Sequence, residues 1–276
     1  MDHIKIMVNG MPGNVAVNLG THIISNNKFE LLPYSLTGPE ISDEVFILDK
    51  IKIKLIQSSD KQVAIEKIKE NAETFISIDF THPSAVNANA EFYCKNNLPF
   101  VMGTTGGNRT QLHETVESSS IPAVIAPNMA KQIVGFQAMM EYAAQSFPGI
   151  FKGYSLEIKE SHQNGKADTS GTAKAMVEYF NELGCTYNAD DIIKIRDPKV
   201  QQKDWGVPEE FLGGHAWHTY TLLSEDKTVK FSFTHNINGR SIYAKGALDA
   251  VEYLHDKINQ GITGKVFSMI DVLKKN

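Results

Sequence analysis

The predicted fold depends first on the stretch Ile4-Lys5-Ile6-Met7-Val8-Asn9-Gly10-Met11-Pro12-Gly13-Asn14-Val15-Ala16. Its first part is largely apolar and predicts a buried strand, and apolar residues then recur at helical spacing at Val15, Leu19 and Ile23. The glycines at 10 and 13 are one fewer than the usual dinucleotide fingerprint contains. Glycines let the backbone approach a pyrophosphate, and the helix N-terminus stabilises its charge. The stretch therefore predicts either a variant dinucleotide-binding turn or an ordinary glycine-rich turn.

The end of the second predicted strand bears on which nucleotide would bind. Residues 29–32 indicate this strand, and the turn 33–38 after it contains no acidic residue. An Asp or Glu at this point usually binds the adenosine ribose of NAD. NADPH is therefore admissible, with Ser35 and Thr37 as candidate phosphate contacts. Because hydroxyl residues also favour turns on their own account, a purely structural role for both stays open.

Three further apolar strands end in small or polar turns that lead into helix. This is the pattern of a doubly wound parallel sheet, whose ligands bind at the carboxyl ends of the strands. We expect the three turns to share one ligand crevice, although a histidine at a helix start, such as His82, is more often simply solvated. The strands are predicted at 74–80, 98–102 and 122–125, and the turns are Asp79-Phe80-Thr81-His82-Pro83, Gly103-Thr104-Thr105-Gly106-Gly107 and Ala126-Pro127-Asn128-Met129.

The most chemically distinctive stretch is Glu157-Ile158-Lys159-Glu160-Ser161-His162-Gln163-Asn164-Gly165-Lys166-Ala167-Asp168-Thr169-Ser170-Gly171-Thr172-Ala173. Alternation predicts a strand up to about position 160, and a helix is expected from about position 169. The polar loop between them holds His162 and Lys166, which can both supply protons near neutral pH if burial tunes them. Ser170, Gly171 and Thr172 offer backbone N–H groups and hydroxyls to a carboxylate or phosphate. An enzyme that acts on a small acidic molecule needs such a pairing.

The remaining C-terminal half predicts a second, sheet-based region. Residues 130–147 indicate a long helix that leads into it, and 215–223 with 228–234 indicate a hairpin with one buried face. Trp217 on this hairpin suggests self-association through the sheet. His215 and His218 fall on opposite strand faces, so they cannot form a metal pair together. Helices predicted at 243–258 and 265–273 are expected to pack back on the nucleotide domain, and the polar section 185–212 suggests no function.

Composition excludes several classes of protein. The 276 residues include 42% hydrophobic and 21% charged residues, as expected for a globular chain of one or two domains. A net charge of -5 without a long basic run argues against a dedicated nucleic-acid binder. Cys94 and Cys185 predict reduced thiols rather than a metal site or disulfide framework. We find no apolar run of the length a membrane span needs and no room for a targeting peptide before the first strand, so we expect a cytoplasmic protein.

With these motifs in place, the chain resembles the dihydrodipicolinate reductases, which act on 4-hydroxy-tetrahydrodipicolinate in the diaminopimelate route to lysine. The resemblance extends over nearly the whole chain and is greatest with the plant-type branch. In the common bacterial branch a second histidine stands where this chain has Gln163, and a proline precedes the Ser-Gly-Thr segment. The motifs that carry the resemblance are the turn 10–16, the three strand-end turns, the block 160–173, and the segment 235–243 with Arg240.

The resemblance implies an α/β fold. A Rossmann-like doubly wound parallel sheet would occupy 1–129 and 241–276, and an α+β substrate-binding and oligomerisation domain with an open mixed sheet would occupy 130–240. The reaction it implies is reduction of a cyclic imine dicarboxylate, in which NADPH (or NADH) delivers hydride and a proton is added beside it. A homo-oligomer, dimer or tetramer, is expected, with a small dicarboxylate as ligand and with no metal, nucleic acid or membrane as partner.

The same resemblance assigns individual residues. His162 matches the general acid of the family, and Lys166 matches the lysine that assists it and faces the anionic substrate. Residues expected to bind the substrate are Gln163, Ser170, Gly171 and Thr172. Residues expected to bind the cofactor are Gly10, Met11, Pro12, Gly13, Asn14, Val15, Ser35, Thr37, Phe80, Thr81, His82, Gly103, Thr104, Thr105, Pro127, Asn128, Met129 and Arg240.

Other functions stay open at this point. The scaffold could serve an NAD(P)H reductase of another cyclic imine or keto acid, because a fold does not fix chemistry. A non-catalytic protein that senses NADPH is a second alternative, against which His162 and Lys166 count because a sensor needs neither. Semialdehyde or homoserine dehydrogenase chemistry normally needs a reactive cysteine or a different lysine context, and neither Cys94 nor Cys185 lies where a nucleophile is expected.

Overall fold

The structure is a computed structural model that describes residues 3–72 and 74–275, and the chain in it forms two compact units. The first unit is the chain up to Lys131 together with the segment from Ser241 onward, and the second is Gln132–Arg240. The first junction thus lies after residue 131, where the sequence predicted it after 129. The second junction lies after Arg240.

The described residues form the following strands and α-helices. The strands are β1 (Ile4–Asn9), β2 (Phe29–Leu31), β3 (Tyr34–Leu36), β4 (Val45–Leu48), β5 (Ile51–Ile56), β6 (Ile76–Asp79), β7 (Phe100–Met102), β8 (Ala123–Ile125), β9 (Ser155–His162), β10 (Ile193–Ile195), β11 (His215–Leu223), β12 (Lys230–Asn238) and β13 (Val266–Phe267). The α-helices are α1 (Asn14–Ile24), α2 (Lys61–Ala72), α3 (Val86–Lys95), α4 (Arg109–Glu117), α5 (Lys131–Ser146), α6 (Gly171–Glu182), α7 (Pro198–Lys203), α8 (Ser241–Asn259) and α9 (Met269–Leu273).

The first unit is built on a parallel sheet. Its strands lie in the order β13-β8-β7-β6-β1-β2, and every neighbouring pair is parallel. Ile6, Met7 and Val8 of β1 are fully buried, as a central strand covered on both faces requires. This confirms the doubly wound sheet. A smaller sheet, β3-β5-β4, lies within the same unit.

The C-terminal segment returns to the first unit, as the sequence predicted. Helix α8 packs against α1, and its Ala244, Ala247 and Ala250 are buried. The prediction of one helix over 265–273 is wrong in its first half, because Val266 and Phe267 pair with Ala123 and Val124 of β8. These residues add an edge strand to the parallel sheet before α9 begins.

The second unit is built on a mixed sheet in the order β10-β9-β11-β12. Strand β10 is parallel to β9, and the other pairs are antiparallel. One face carries Leu156, Ile158 and Tyr220, which are buried in a core with residues of α5 and α6. Towards the end of β9 the same face changes from apolar to polar, because Glu160 and His162 follow Ile158 at alternate positions. None of the helices among the described residues has the length and apolar character of a membrane span.

Candidate active site

The turn after β1 has the geometry of a nucleotide-binding turn. Gly10 has a φ of +106°, and a Cβ at this position would lie 2.2 Å from the carbonyl oxygen of Phe80. Only glycine therefore lets the turns after β1 and β6 meet. Gly13 is the N-cap residue of α1 and supplies no side-chain hydrogen bond to the helix, and the first turn of α1 contains no acidic residue. The N–H groups at this helix start can therefore bind an anion.

A pocket of about 730 Å³ opens beside this turn in the first unit. Eight of the residues predicted to bind the cofactor line it, and Asn14 and Val15 follow directly on α1. Glu40, Ser58 and Lys61, which no motif in the sequence marked, also line the pocket. Lys61 is half-buried and its ammonium lies 4.6 Å from the centroid of the Phe92 ring. The predicted residues in the lining are Gly10, Met11, Pro12, Gly13, Thr37, Phe80, Thr81 and His82.

Three predicted cofactor hydroxyls form hydrogen bonds that support the turns. Ser35 is fully buried and its Oγ accepts a hydrogen bond from the Met11 N–H at 3.1 Å. The Thr37 hydroxyl donates to the Met11 carbonyl oxygen at 3.0 Å. The Thr104 hydroxyl donates to the Asp79 carboxylate at 2.7 Å. The structure therefore corrects the assignment of Ser35 and Thr104 as direct contacts, because burial and hydrogen bonding commit both hydroxyls to the fold.

Asp79, a buried carboxylate at the end of β6, organises two of the strand-end turns. Besides Thr104, it accepts hydrogen bonds from the Thr81 hydroxyl at 2.8 Å, the Asn89 amide at 3.0 Å and the Tyr93 hydroxyl at 2.7 Å. Burial raises the pKa of Tyr93 well above its usual range, and the charge of Asp79 raises it further. The network fixes the turns after β6 and β7, a role that no pattern in the sequence indicated.

The other predicted cofactor residues lie at the carboxyl ends of neighbouring strands. Gly103 follows β7, and a Cβ on it would lie 2.3 Å from the Phe80 ring, so glycine leaves room for that ring. Thr105 follows Gly103 and is exposed, and Pro127 and Asn128 follow β8. Met129 and Arg240 fit the predicted role of cofactor binding less well. Met129 is 2% exposed, and Arg240 is the last residue of the second unit, with its guanidinium against Gly214.

His162 is the last residue of β9 rather than a loop residue. The strand is longer than predicted because Ser161 and His162 still pair with Trp217 and Ala216 of β11. His162 is 7% exposed, and its Nε2 atom lies 3.0 Å from Nε2 of His218. Burial, together with the charges of Arg196 and Lys166, lowers the pKa of His162 to about 4. The imidazole is therefore neutral near pH 7.

A buried ion pair holds the loop after His162. The Glu160 carboxylate is fully buried, is paired with the Arg196 guanidinium and accepts a hydrogen bond from the Ser170 N–H at 3.0 Å. Arg196 also donates from Nε to the Lys166 carbonyl oxygen at 2.7 Å. Arg196 follows β10, in the section that suggested no function in the sequence. The pair therefore connects β9, the loop and the start of α6.

The predicted substrate residues all lie in this strand-to-helix connection. The Lys166 ammonium lies 2.9 Å from the Asp168 carboxylate, which is largely exposed. An exposed ion pair is weak, so Lys166 can exchange Asp168 for another anion. The Lys166 N–H donates to the Gln163 carbonyl oxygen at 3.0 Å, which forms a tight turn. Ser170 is the N-cap of α6, and its side chain makes no capping hydrogen bond. Gly171 and Thr172 begin the helix, and N–H groups in the first turn of a helix can bind an anion.

Gln201, which no motif in the sequence marked, fixes the backbone of His162 by a hydrogen bond. It lies on α7, is fully buried, and its amide donates to the His162 carbonyl oxygen at 2.7 Å and to the Ile195 carbonyl oxygen at 3.1 Å. The end of β9 is therefore fixed by a side chain from the polar section 185–212. A Gln in a polar segment gives no periodic signal, so only the folded chain reveals this contact.

Glu160, His162 and His218 place one potential ligand atom each within 4.8 Å of one another. Such spacing also suits a metal ion. Here, however, the Arg196 guanidinium neutralises Glu160, and its positive charge disfavours a second cation. We therefore interpret His162 and His218 as a hydrogen-bonded pair that lies beside the Glu160–Arg196 ion pair.

Comparison with known proteins decides the family. The family model described as dihydrodipicolinate reductase, N-terminus, matches residues 4–129, and the C-terminus model matches residues 133–273. The chain belongs to the dihydrodipicolinate reductase family. The predicted resemblance is therefore confirmed, and so is the α/β class.

Relatives of this family match over almost the whole chain. The chain is 47% identical over 271 residues to probable 4-hydroxy-tetrahydrodipicolinate reductase 1, chloroplastic, of Oryza sativa subsp. japonica, which covers 98% of this chain and 78% of the relative. It is 46% identical over 275 residues to 4-hydroxy-tetrahydrodipicolinate reductase 2, chloroplastic, of Arabidopsis thaliana, with coverage of 99% and 78%. The predicted cytoplasmic location is wrong by this comparison, because these plant-type relatives are named as chloroplastic.

A solved structure supports the same fold. The dipicolinate-bound dihydrodipicolinate reductase from Paenisporosarcina sp. TG-14 superimposes with a TM-score of 0.66 and covers 97% of this chain and 98% of its own. Its sequence identity to this chain is 19%, so the likeness concerns the fold.

Proposed function

We propose that this chain catalyses the NADPH-dependent reduction of 4-hydroxy-tetrahydrodipicolinate to tetrahydrodipicolinate, the step that its family performs in lysine biosynthesis. The observation that carries the proposal is the connection from β9 to α6, where His162, Lys166 and the free start of α6 lie together. A neutral ring, an ammonium and unpaired N–H groups suit a substrate with two carboxylates and a carbon that must be protonated.

The first unit supplies the residues for the nucleotide. Gly10 and Gly13 would lie along the pyrophosphate, where a Cβ at either position would meet backbone. When bound, the nicotinamide supplies a hydride to the substrate ring. We assign NADPH as the preferred form because Lys61 lies half-buried in the pocket lining, where a 2′-phosphate would give its ammonium a partner. Glu40 in the same lining is the residue that would instead favour the ribose of NADH.

In this mechanism His162 supplies the proton. The positive charges of Arg196 and Lys166 contribute to the low pKa of its ring. Substrate carboxylates near these cations would offset that charge and raise the pKa of His162. The ring then takes up a proton in the substrate complex and donates it to the carbon beside the one that accepts hydride. General acid catalysis of this kind typically contributes about 10²–10⁴-fold.

The loop and α6 hold the substrate. Lys166 would exchange its exposed partner Asp168 for a substrate carboxylate, and Gln163 lies at the start of the same turn. The N–H groups of Gly171 and Thr172, together with the Ser170 hydroxyl, would bind the carboxylate through the α6 N-terminus. Glu160 and Arg196 keep these groups in place.

Self-association remains part of the proposal. The outer face of the mixed sheet carries Trp217 and Thr219 beside a cavity of about 400 Å³. A second copy of the chain can pair with this sheet face. Light scattering on the purified protein tests this, and a monomer at micromolar concentration would remove it.

The assay uses purified protein, NADPH and freshly generated product of dihydrodipicolinate synthase, with cofactor absorbance as the readout. We expect oxidation of NADPH only when protein and substrate are both present. No oxidation, with tight NADPH binding retained, would instead support a non-catalytic sensor. Oxidation with other cyclic imines or keto acids but not with this substrate would place the chain in the same class with a different specificity. The same assay with NADH decides the coenzyme.

A further inference from the structure

Strand β10 ends one residue short of the proposed general acid. The register of β10 against β9 pairs Ile195 with Ser161 and goes no further, so no residue of β10 is paired with His162. The chain leaves the sheet at this point, because Asp197 is the N-cap of α7 and Pro198 begins that helix. On this side of β9, the carbonyl oxygen of His162 therefore depends on a donor from outside the strand.

Gln201 of α7 supplies that donor. Its amide nitrogen Nε2 donates to the His162 carbonyl oxygen at 2.7 Å and to the Ile195 carbonyl oxygen at 3.1 Å. His162 is the last residue of β9 and Ile195 is the last residue of β10, so one amide group bridges the ends of both strands. These partners fix the orientation of the amide, since a flipped amide would place Oε1 against two carbonyl oxygens.

The Gln201 carboxamide serves through its donors alone. The side chain is fully buried, and its Oε1 atom makes no hydrogen bond among the described residues. A buried acceptor without a partner is unfavourable, so the oxygen gives no reason for an amide at this position. What the amide contributes is its pair of N–H groups, which hold the two strand ends together.

Helix α7 is short, but hydrogen bonds brace it around Gln201. The Asp197 side chain caps the helix by accepting from the Lys199 N–H at 2.8 Å, and the Gln201 N–H donates to the Asp197 carbonyl oxygen at 2.9 Å. After the helix, the N–H of the buried Val207 donates to the Gln201 carbonyl oxygen at 3.0 Å. The backbone of Gln201 is bonded in both directions, which keeps its amide at a fixed place beside β9.

The same segment also bonds the second residue that the mechanism uses. Arg196, five positions before Gln201, donates from Nε to the carbonyl oxygen of Lys166 at 2.7 Å. The backbones of His162 and Lys166 are therefore both tied to residues 196–201. The geometry of this segment sets how far apart the imidazole and the ammonium lie.

We propose that Gln201 is a positioning residue for the reduction, which fixes the place from which His162 presents its ring to the substrate. The ring is held at Nε2, which lies 3.0 Å from Nε2 of His218, and the backbone is held at the carbonyl oxygen by Gln201. Without the second contact, the end of β9 is free to shift with the loop that follows it. Proton transfer needs the reacting atoms in close alignment, and a displacement of about 1 Å can cost about 10²-fold in rate. Gln201 acts through His162 and makes no contact with the substrate.

The proposal rests on the proposed function and is tested with Gln201→Met in the full chain. Methionine has a similar length and volume but no N–H group. Gln202→Met is the matched control, because Gln202 is the next residue of α7 and is exposed. We expect Gln201→Met to lower kcat by about 10- to 100-fold and to change the substrate KM by less than about twofold. Gln202→Met should behave as the wild type.

A double-mutant cycle with His162→Gln separates positioning from a general loss of structure. If Gln201 acts through His162, the change Gln201→Met should lower kcat no further once the imidazole is gone. A structural defect would instead lower kcat by the same factor in both backgrounds. Equal factors would overturn the proposal.

Gln201→Asn is a second, milder variant. It keeps a polar side chain but is one methylene shorter, so its amide cannot reach both carbonyl oxygens and kcat should fall here too. Urea unfolding followed by the fluorescence of Trp205 and Trp217 shows whether each variant is folded in the assay. Wild-type kcat in both Gln201 variants, beside an active wild type, would overturn the positioning role alone. A wild type that does not oxidise NADPH with substrate would overturn the proposed function, and the positioning role with it.

Discussion

Arg196 and Glu160 form a buried ion pair that fixes the loop between β9 and α6 to the sheet. The Glu160 side chain is fully buried, and Arg196 extends from it to the backbone of Lys166. A carboxylate at this depth is stable only with its cation, and the cation in turn positions the loop. Two residues far apart in the chain therefore set the geometry of the proposed substrate site.

Arg196→Ala should destabilise the second unit and weaken the site. Removing one partner of a buried ion pair typically costs about 3–5 kcal/mol, because the other charge is left unpaired. Both tryptophans of the chain, Trp205 and Trp217, lie in the second unit, so urea unfolding followed by their fluorescence reports on it. The double variant Glu160→Gln with Arg196→Ala should lose less stability than the two single losses summed. Simple additivity would contradict the coupling.

Lys166→Ala should lower kcat and raise the substrate KM together. The ammonium is proposed both to bind a carboxylate and to support proton transfer, so both the ground state and the transition state lose an interaction. Lys159→Ala is the matched control, because Lys159 is a partly exposed lysine of β9 that pairs with Glu157. Steady-state kinetics in which the Lys166 variant behaves like the Lys159 variant would remove Lys166 from the site.

Lys61→Ala should weaken NADPH more than NADH. A 2′-phosphate is present only in NADPH, so loss of the half-buried ammonium should raise the KM for NADPH by about tenfold, equivalent to about 1.4 kcal/mol, and leave that for NADH nearly unchanged. Glu40→Gln removes the carboxylate that is proposed to bind the ribose of NADH, so this variant should raise the KM for NADH. Equal effects of Lys61→Ala on both cofactors would show that Lys61 does not bind the 2′-phosphate.

Acid should destabilise the second unit over a defined pH range. Burial lowers the folded-state pKa of His162 and His235 to about 4, below the unfolded value near 6.5. Between these values the unfolded chain binds more protons, so the free energy of unfolding is highest above pH 6.5 and falls as the pH drops towards 4. His162 alone accounts for about 3 kcal/mol across this range.

Urea unfolding at several pH values measures this dependence. His162→Gln should flatten the slope between pH 6.5 and 4, whereas His113→Gln, a change at an exposed position of α4, should leave it as in the wild type. Parallel slopes for the wild type and the His162 variant would mean that this ring does not stay neutral in the fold.

Much of the first unit follows from local patterns in the sequence. The strands of the parallel sheet are short apolar runs between turn residues, and the helical spacing of Val15, Leu19 and Ile23 predicted α1. Strand β13 was missed because its pairing with β8 is entirely non-local and only two residues long. The roles of Ser35 and Thr104 were misassigned because a turn hydroxyl that binds a ligand and one that hydrogen-bonds to the fold have the same sequence pattern.

The candidate site was predictable only where its reactive side chains are close together in the sequence. His162, Lys166 and Ser170 fall within one short block, so their type and spacing indicated a proton donor beside an anion site. Arg196 and Gln201 contribute through contacts that cross the fold, and no periodicity marks them. The pairing of His162 with His218 depends on the register of β9 and β11, which the sequence left undetermined.

The central claim is that His162 donates the proton in the reduction, and steady-state kinetics of His162→Gln with NADPH and freshly made substrate tests it most directly. Glutamine can keep hydrogen bonds at this position but cannot act as an acid. The account predicts a kcat lowered by about 10²–10⁴-fold with only a modest change in the substrate KM. Near-normal turnover in this variant, beside an active wild type, would contradict the assignment.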